Sequence, residues 1–136
     1  MKIASFALGA NATLANLPVE VVLENAGERN VRLWAPNNVE GLQSLWFEFQ
    51  AVGGKVVEYR PPVPPRAGGV ATAVVLAPHE RLHLPVVNLA AARDHGGLAP
   101  GDYTVTAIYK NAMADFPPVR GVWTGTLRSK PLTLRL

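Results

Sequence analysis

The chain has 136 residues, 49% hydrophobic and 17% charged, with 13 lysines and arginines against 10 acids and no cysteine. That length suits one domain with a core of its own, and the balance is too apolar and too weakly charged for a disordered polymer. The missing cysteines exclude a disulfide framework, a thiolate metal site and a cysteine nucleophile, while a net charge of +3 that is scattered rather than gathered into a basic run argues against a nucleic-acid partner.

No apolar stretch approaches the ~20 residues of a membrane-spanning helix. Met1-Lys2, the apolar residues to Ala10 and then Asn11-Ala12 follow the order of a signal peptide in miniature. The apolar part is short and interrupted by Ser5 and Gly9, so Ile3 to Leu8 is read as a first strand. Pro18 to Asn25 predicts a second, with Val19, Val21 and Leu23 alternating against Glu20, Val22 and Glu24. Asn30 to Ala35 is expected to pair with it as a hairpin, placing Trp34 opposite Leu33.

After a loop at Pro36-Asn37-Asn38, Ser44 to Gln50 is the clearest period-two segment. Leu45, Phe47 and Phe49 share one face and Trp46, Glu48 and Gln50 the other. Gly53-Gly54 supplies a tight turn and Lys55 to Tyr59 the returning arm. Arg60 to Gly69 carries four prolines, which lack the ladder donor, so it is read as an edge crossing or extended loop.

Strands are expected again at Ala71 to Leu76 and Arg81 to Leu89, with one helical turn at Asn88 to His95 ended by Gly96-Gly97. Tyr103 to Lys110 alternates, with Tyr103, Val105, Ala107 and Tyr109 on one side and Thr104, Thr106 and Ile108 on the other. Val122 to Arg128 and Leu132 to Leu136 complete the set. Turn residues punctuating short apolar runs predict an all-β, immunoglobulin-like antiparallel sandwich of about seven to nine strands, formed by residues 1–136 as a single domain.

Leu98, Gly101 and Tyr103, spaced as L-x-x-G-x-Y before an alternating strand, resemble the tyrosine corner of immunoglobulin-like and fibronectin-like sandwiches. The resemblance implies that the Tyr103 hydroxyl bonds back to the backbone and that Gly101 lets the chain turn. The wider pattern from Leu76 to Tyr103 is similar to single-domain bacterial immunoglobulin-like proteins, including intracellular proteinase inhibitors of the BsuPI type. It departs from antibody domains in having no cysteine pair and valine at position 105.

A Ser-His-Asp arrangement can be assembled on paper from Ser129 or Ser44, one of three histidines and Asp94 or Asp102, as it can in almost any chain. His79 and His83 share a strand face but have Arg81 between them, which opposes a cation, so no metal site is expected. No nucleophile elbow, paired carboxylates or phosphate loop is present, and the chain is read as a non-enzyme without cofactor.

Two surface elements remain. Pro61 to Arg66 fits P-x-x-P-x-R, which aromatic grooves recognise in polyproline form, though prolines there equally guard a sheet edge. Trp34, Trp46 and Trp123, if all outward and on one sheet, would form an aromatic platform; the opposing reading has both sheet faces covered, or Trp123 with Leu127 in the core.

The expected function is a binding module for a protein partner, using Trp34, Trp46, Trp123 and the loop residues Arg60, Pro61, Pro64 and Arg66. Leu98, Gly101 and Tyr103 are structural. A carbohydrate-binding or cell-envelope accessory domain is one alternative and a peptidase inhibitor, presenting the 60s loop or the Asn111 to Gly121 loop, another. A homodimer through a sheet edge or an aromatic face also fits. The lack of cysteine tilts the compartment towards the cytoplasm without deciding it.

Overall fold

The computed structural model describes residues 1–65 and 70–136. It is an all-β antiparallel sandwich with eleven strands among the described residues, more than the seven to nine expected; the Arg81 to Leu89 run is split into two strands, and β3 and β6 form a separate ribbon. The first sheet joins β1 (Lys2–Leu8) to β2 (Pro18–Glu24), which then pairs with both β7 (Arg81–His83) and β8 (Val87–Asn88). The second runs β10 (Gly125–Arg128), β9 (Asp102–Asn111), β4 (Leu45–Ala51), β5 (Val56–Tyr59), with β11 (Leu132–Arg135) also on β9. The ribbon consists of β3 (Val31–Trp34) and β6 (Ala73–Leu76).

Alternation decides the inner faces. Val19, Val21 and Leu23 of the first sheet meet Leu45, Phe47, Phe49, Val105, Ala107 and Tyr109 of the second in one buried cluster. Phe6 and Phe47 cross the gap with ring centroids 5.7 Å apart. In β1 the register slips between Ile3 and Ser5, a bulge that resets parity so that Ile3, Phe6 and Leu8 all pack against the core. Glu24 ties three strands by pairing with Lys2 and Arg81, and the Arg81 hydrogen bond does most to hold its carboxyl below the usual range.

The tyrosine corner geometry is present. Tyr103 Oη donates to the Ala99 carbonyl at 2.7 Å, while its ring meets Phe49 edge-on. Gly101 holds φ at 149°, a conformation that side chains disfavour, and exchanges two backbone hydrogen bonds with Leu136. Leu98 is buried in the main cluster.

The expected hairpin between residues 18–25 and 30–35 does not form: β2 lies between β1 and β7, and β3 pairs with β6. The cause is Asn25, which is fully buried. Its backbone bonds to the 79–80 turn, its Nδ2 donates to the carbonyls of Arg29 (2.7 Å) and Leu76 (3.0 Å), and its Oδ1 accepts from Gly27 N. These bonds steer the chain out of the first sheet and onto the ribbon.

The hairpin of β4 and β5 forms as expected, with a turn bond from Gly54 N to Ala51 O. Among the described residues there are two short helices, α1 (Val39–Leu42), which the sequence pattern does not announce, and α2 (Ala91–Asp94), which falls in the expected helical turn. In α1 a Cβ on Gly41 would lie 2.2 Å from the Ala35 carbonyl oxygen, so only glycine lets this turn seat against β3's end.

Candidate functional site

The outward face of the second sheet is a register of side chains read across its strands. Trp46 lies opposite Ile108, and Ile108 opposite Arg128; one row further, Glu58 faces Glu48 and Glu48 faces Thr106. Ile108 is buried despite its outward parity, since Trp46 and Arg128 flank it. Arg128 reaches diagonally to Glu48 and forms an ion pair with it.

At one end this face opens into a groove of about 600 Å³. Glu40, Gln43 and Ser44 enter it from the junction of α1 and β4, Trp46 from β4, Glu58 and Arg60 from the end of β5, and Lys110 to Met113 from the end of β9. The Arg60 guanidinium carbon sits 4.0 Å from the centre of the Trp46 ring, a cation–π contact, and Arg60 Nε donates to Glu58 Oε2 at 2.7 Å. Trp46 is half-buried, and its indole Nε1 is sealed from solvent with no acceptor among the described residues.

Behind the groove, Tyr109 is buried, and loss of hydration pushes its phenol up to about 12 despite an opposing hydrogen bond with Ser44. Ser44 Oγ donates to the Glu40 carbonyl, closing the turn that feeds β4.

The remaining site candidates are dispersed. Trp34 does not lie on the surface: it is 1% exposed, clustered with Ala71 and Val122, and its Nε1 donates to the Met113 carbonyl at 3.2 Å. Parity placed it opposite Leu33 correctly, but Ala71 and Val122 close over its side of the ribbon at that end, and Leu33 is buried as well. Trp123 also leaves the platform, stacking on Tyr109 and packing with Leu127 against the main core. The three-ring platform is therefore replaced by Trp46 alone.

Within the proline loop, Arg60 joins the groove, while Pro61, Pro62 and Val63 turn away. They line a small cavity of about 40 Å³ with Pro36, Leu42, Leu45 and Leu84. Pro64 is exposed, and Arg66 lies outside the described residues.

The histidines do not converge. His83 Nδ1 contacts Glu20 at 2.6 Å, whereas His79 occupies a turn with φ of 67°. Among the described residues no three His, Cys, Asp or Glu side chains gather where they could hold a metal ion, and no helix is long and apolar enough to cross a membrane.

Sequence reasoning missed Glu40, Gln43, Glu58 and Lys110, and it reached the 111–113 segment only as part of the Asn111 to Gly121 loop of the inhibitor alternative. Outward parity on β9 was a signal for Lys110, but its neighbours come from the register with β4, which starts where Lys110 N donates to Ser44 O. Asn111 is a second clamp: its Nδ2 donates to the carbonyls of Met113 and Trp123, fixing both ends of the 112–122 loop.

Compared with protein-family models, curated proteins and solved structures, the chain matches none.

Proposed function

We propose that the chain is a non-enzymatic, immunoglobulin-like binding domain that engages a protein partner through the groove around Trp46. The immunoglobulin-like part of the reading draws support from the Tyr103 corner bond and from the order of strands in the two main sheets. The binding part rests on one observation: Trp46 forms part of an open groove with an arginine stacked on its ring, the residue pair that most often dominates protein interfaces. A carbohydrate surface is less well served, because Trp34 and Trp123 are committed elsewhere and supply no planar row of exposed rings.

The test is affinity capture from native lysate with the intact domain, Trp46→Ala and Arg60→Ala, each checked for native circular dichroism. Truncating a central anchor weakens binding by about thirtyfold or more, so both variants should lose the captured protein. An unchanged set captured by folded Trp46→Ala refutes the reading.

A specific feature favours the peptidase-inhibitor alternative. The 112–121 loop is internally braced, with Phe116 and Val119 exchanging backbone hydrogen bonds of 2.9 and 2.8 Å and Gly121 N donating to Asp115 Oδ1, while Phe116, Pro117 and Pro118 are exposed. A loop ordered before contact loses little entropy on binding. If this reading holds, the captured protein is a peptidase and Phe116→Ala releases it while Trp46→Ala does not.

A further inference from the structure

We infer that the Trp46 groove receives a carboxylate carried on an acidic peptide segment, held between Arg60 and Lys110. The inference takes its partner from the protein-binding reading above and names the chemistry by which that partner is recognised.

The two cations enter the groove in different states. Lys110 is exposed and makes no ion pair among the described residues, so its charge is available without breaking anything. Arg60 is tied to Glu58, but the two side chains are 55% and 48% exposed, and exposed pairs of this kind hold weakly. Only Arg60 Nε serves Glu58; the terminal nitrogens donate to no acceptor among the described residues. A carboxylate can therefore use the rest of the guanidinium fork or displace Glu58 from it at small cost. The contact with Trp46 keeps the guanidinium at the groove rather than free in solvent.

Register brings the two cations to the groove from the two strands that flank β4. Arg60 follows β5 beside Trp46, and Lys110 is two residues beyond Ile108, which lies directly across from Trp46. Glu58 is the exposed acid of the groove and so the internal competitor, whereas Glu40 in the same wall is buried. The groove is open, with space of about 600 Å³, and so admits a segment as well as a single carboxylate or phosphate.

The experiment follows amide and indole resonances of the isotope-labelled full chain during titration with hexaglutamate, hexaglutamine, acetate and inorganic phosphate. Saturable shifts of the Trp46 indole and Lys110 amide with hexaglutamate alone are expected. Arg60→Gln and Lys110→Gln, both surface changes, should each weaken the response by about tenfold, the worth of one charge-assisted hydrogen bond. Glu58→Gln should strengthen it by about threefold, because the competing internal carboxylate is gone.

An equal response to hexaglutamine, an equal response to acetate or phosphate, or a Glu58→Gln variant that binds hexaglutamate more weakly would each overturn the inference. No response to hexaglutamate, alongside loss of the captured protein in Trp46→Ala, would remove the acidic ligand and leave the protein-binding reading standing. A hexaglutamate response lost in Arg60→Gln, with capture unchanged in Trp46→Ala, would support the carboxylate site and remove the protein-binding reading instead.

Discussion

Asn25→Ala should be among the most damaging substitutions of a polar residue in this protein. The side chain is fully buried and makes three hydrogen bonds, to the carbonyls of Arg29 and Leu76 and from Gly27 N. A net hydrogen bond contributes about 1 kcal/mol, and water cannot replace the one to Leu76, which is buried, so the loss is about 3 kcal/mol. An unfolding entropy near 2.1 cal/mol/K per residue over 136 residues turns this into a fall in Tm of roughly 10 °C.

Urea unfolding followed by tryptophan fluorescence measures it, with the midpoint shifting and the slope unchanged. Asn25→Asp should be worse at neutral pH, since it sets a carboxylate against two carbonyl oxygens, and should recover as the pH falls and the protonated acid becomes a donor. A loss under about 1 kcal/mol for Asn25→Ala, or an Asp variant indifferent to pH, would refute the claim that this amide directs the chain from the first sheet to the ribbon.

Tyr103→Phe keeps the ring against Phe49 and removes only the corner bond; because Ala99 is exposed and water can serve its carbonyl, the cost should be about 1 kcal/mol, read as a Tm shift of roughly 3–4 °C. Trp34→Ala should cost about 3–5 kcal/mol and selectively strip hydrogen-exchange protection from residues 112–122, whose anchor at Met113 it removes; protection lost evenly across the sheets would contradict this. Tyr109 has a folded pKa of about 12 against an ordinary 10, so the fold favours the neutral phenol. Its contribution is complete below pH 10 and is lost as pH rises towards 12. That gap is worth about 3 kcal/mol, and alkaline denaturation should flatten over this window in Tyr109→Phe.

The sequence by itself determined what depends on neighbours along the chain. Period-two alternation is local, so the facing of Leu45, Phe47 and Phe49 and of Tyr103 to Tyr109 was legible, as were the Gly53-Gly54 hairpin, the helical turn before Gly96 and the L-x-x-G-x-Y corner. Trp46 was legible as outward for the same reason. Only the tertiary structure decided what covers each face and which strand meets which. Trp34 was assigned its side correctly yet is buried, because Ala71, Val122 and Met113 arrive from far along the chain to close over it. The 18–25 and 30–35 runs were paired with each other because they are adjacent, whereas Asn25 bonds to residues more than fifty positions away. The groove is of the same kind: α1 and the ends of β4, β5 and β9 supply its walls, and cross-strand register, a non-local quantity, is what brings Lys110 and Arg60 into one groove with Trp46.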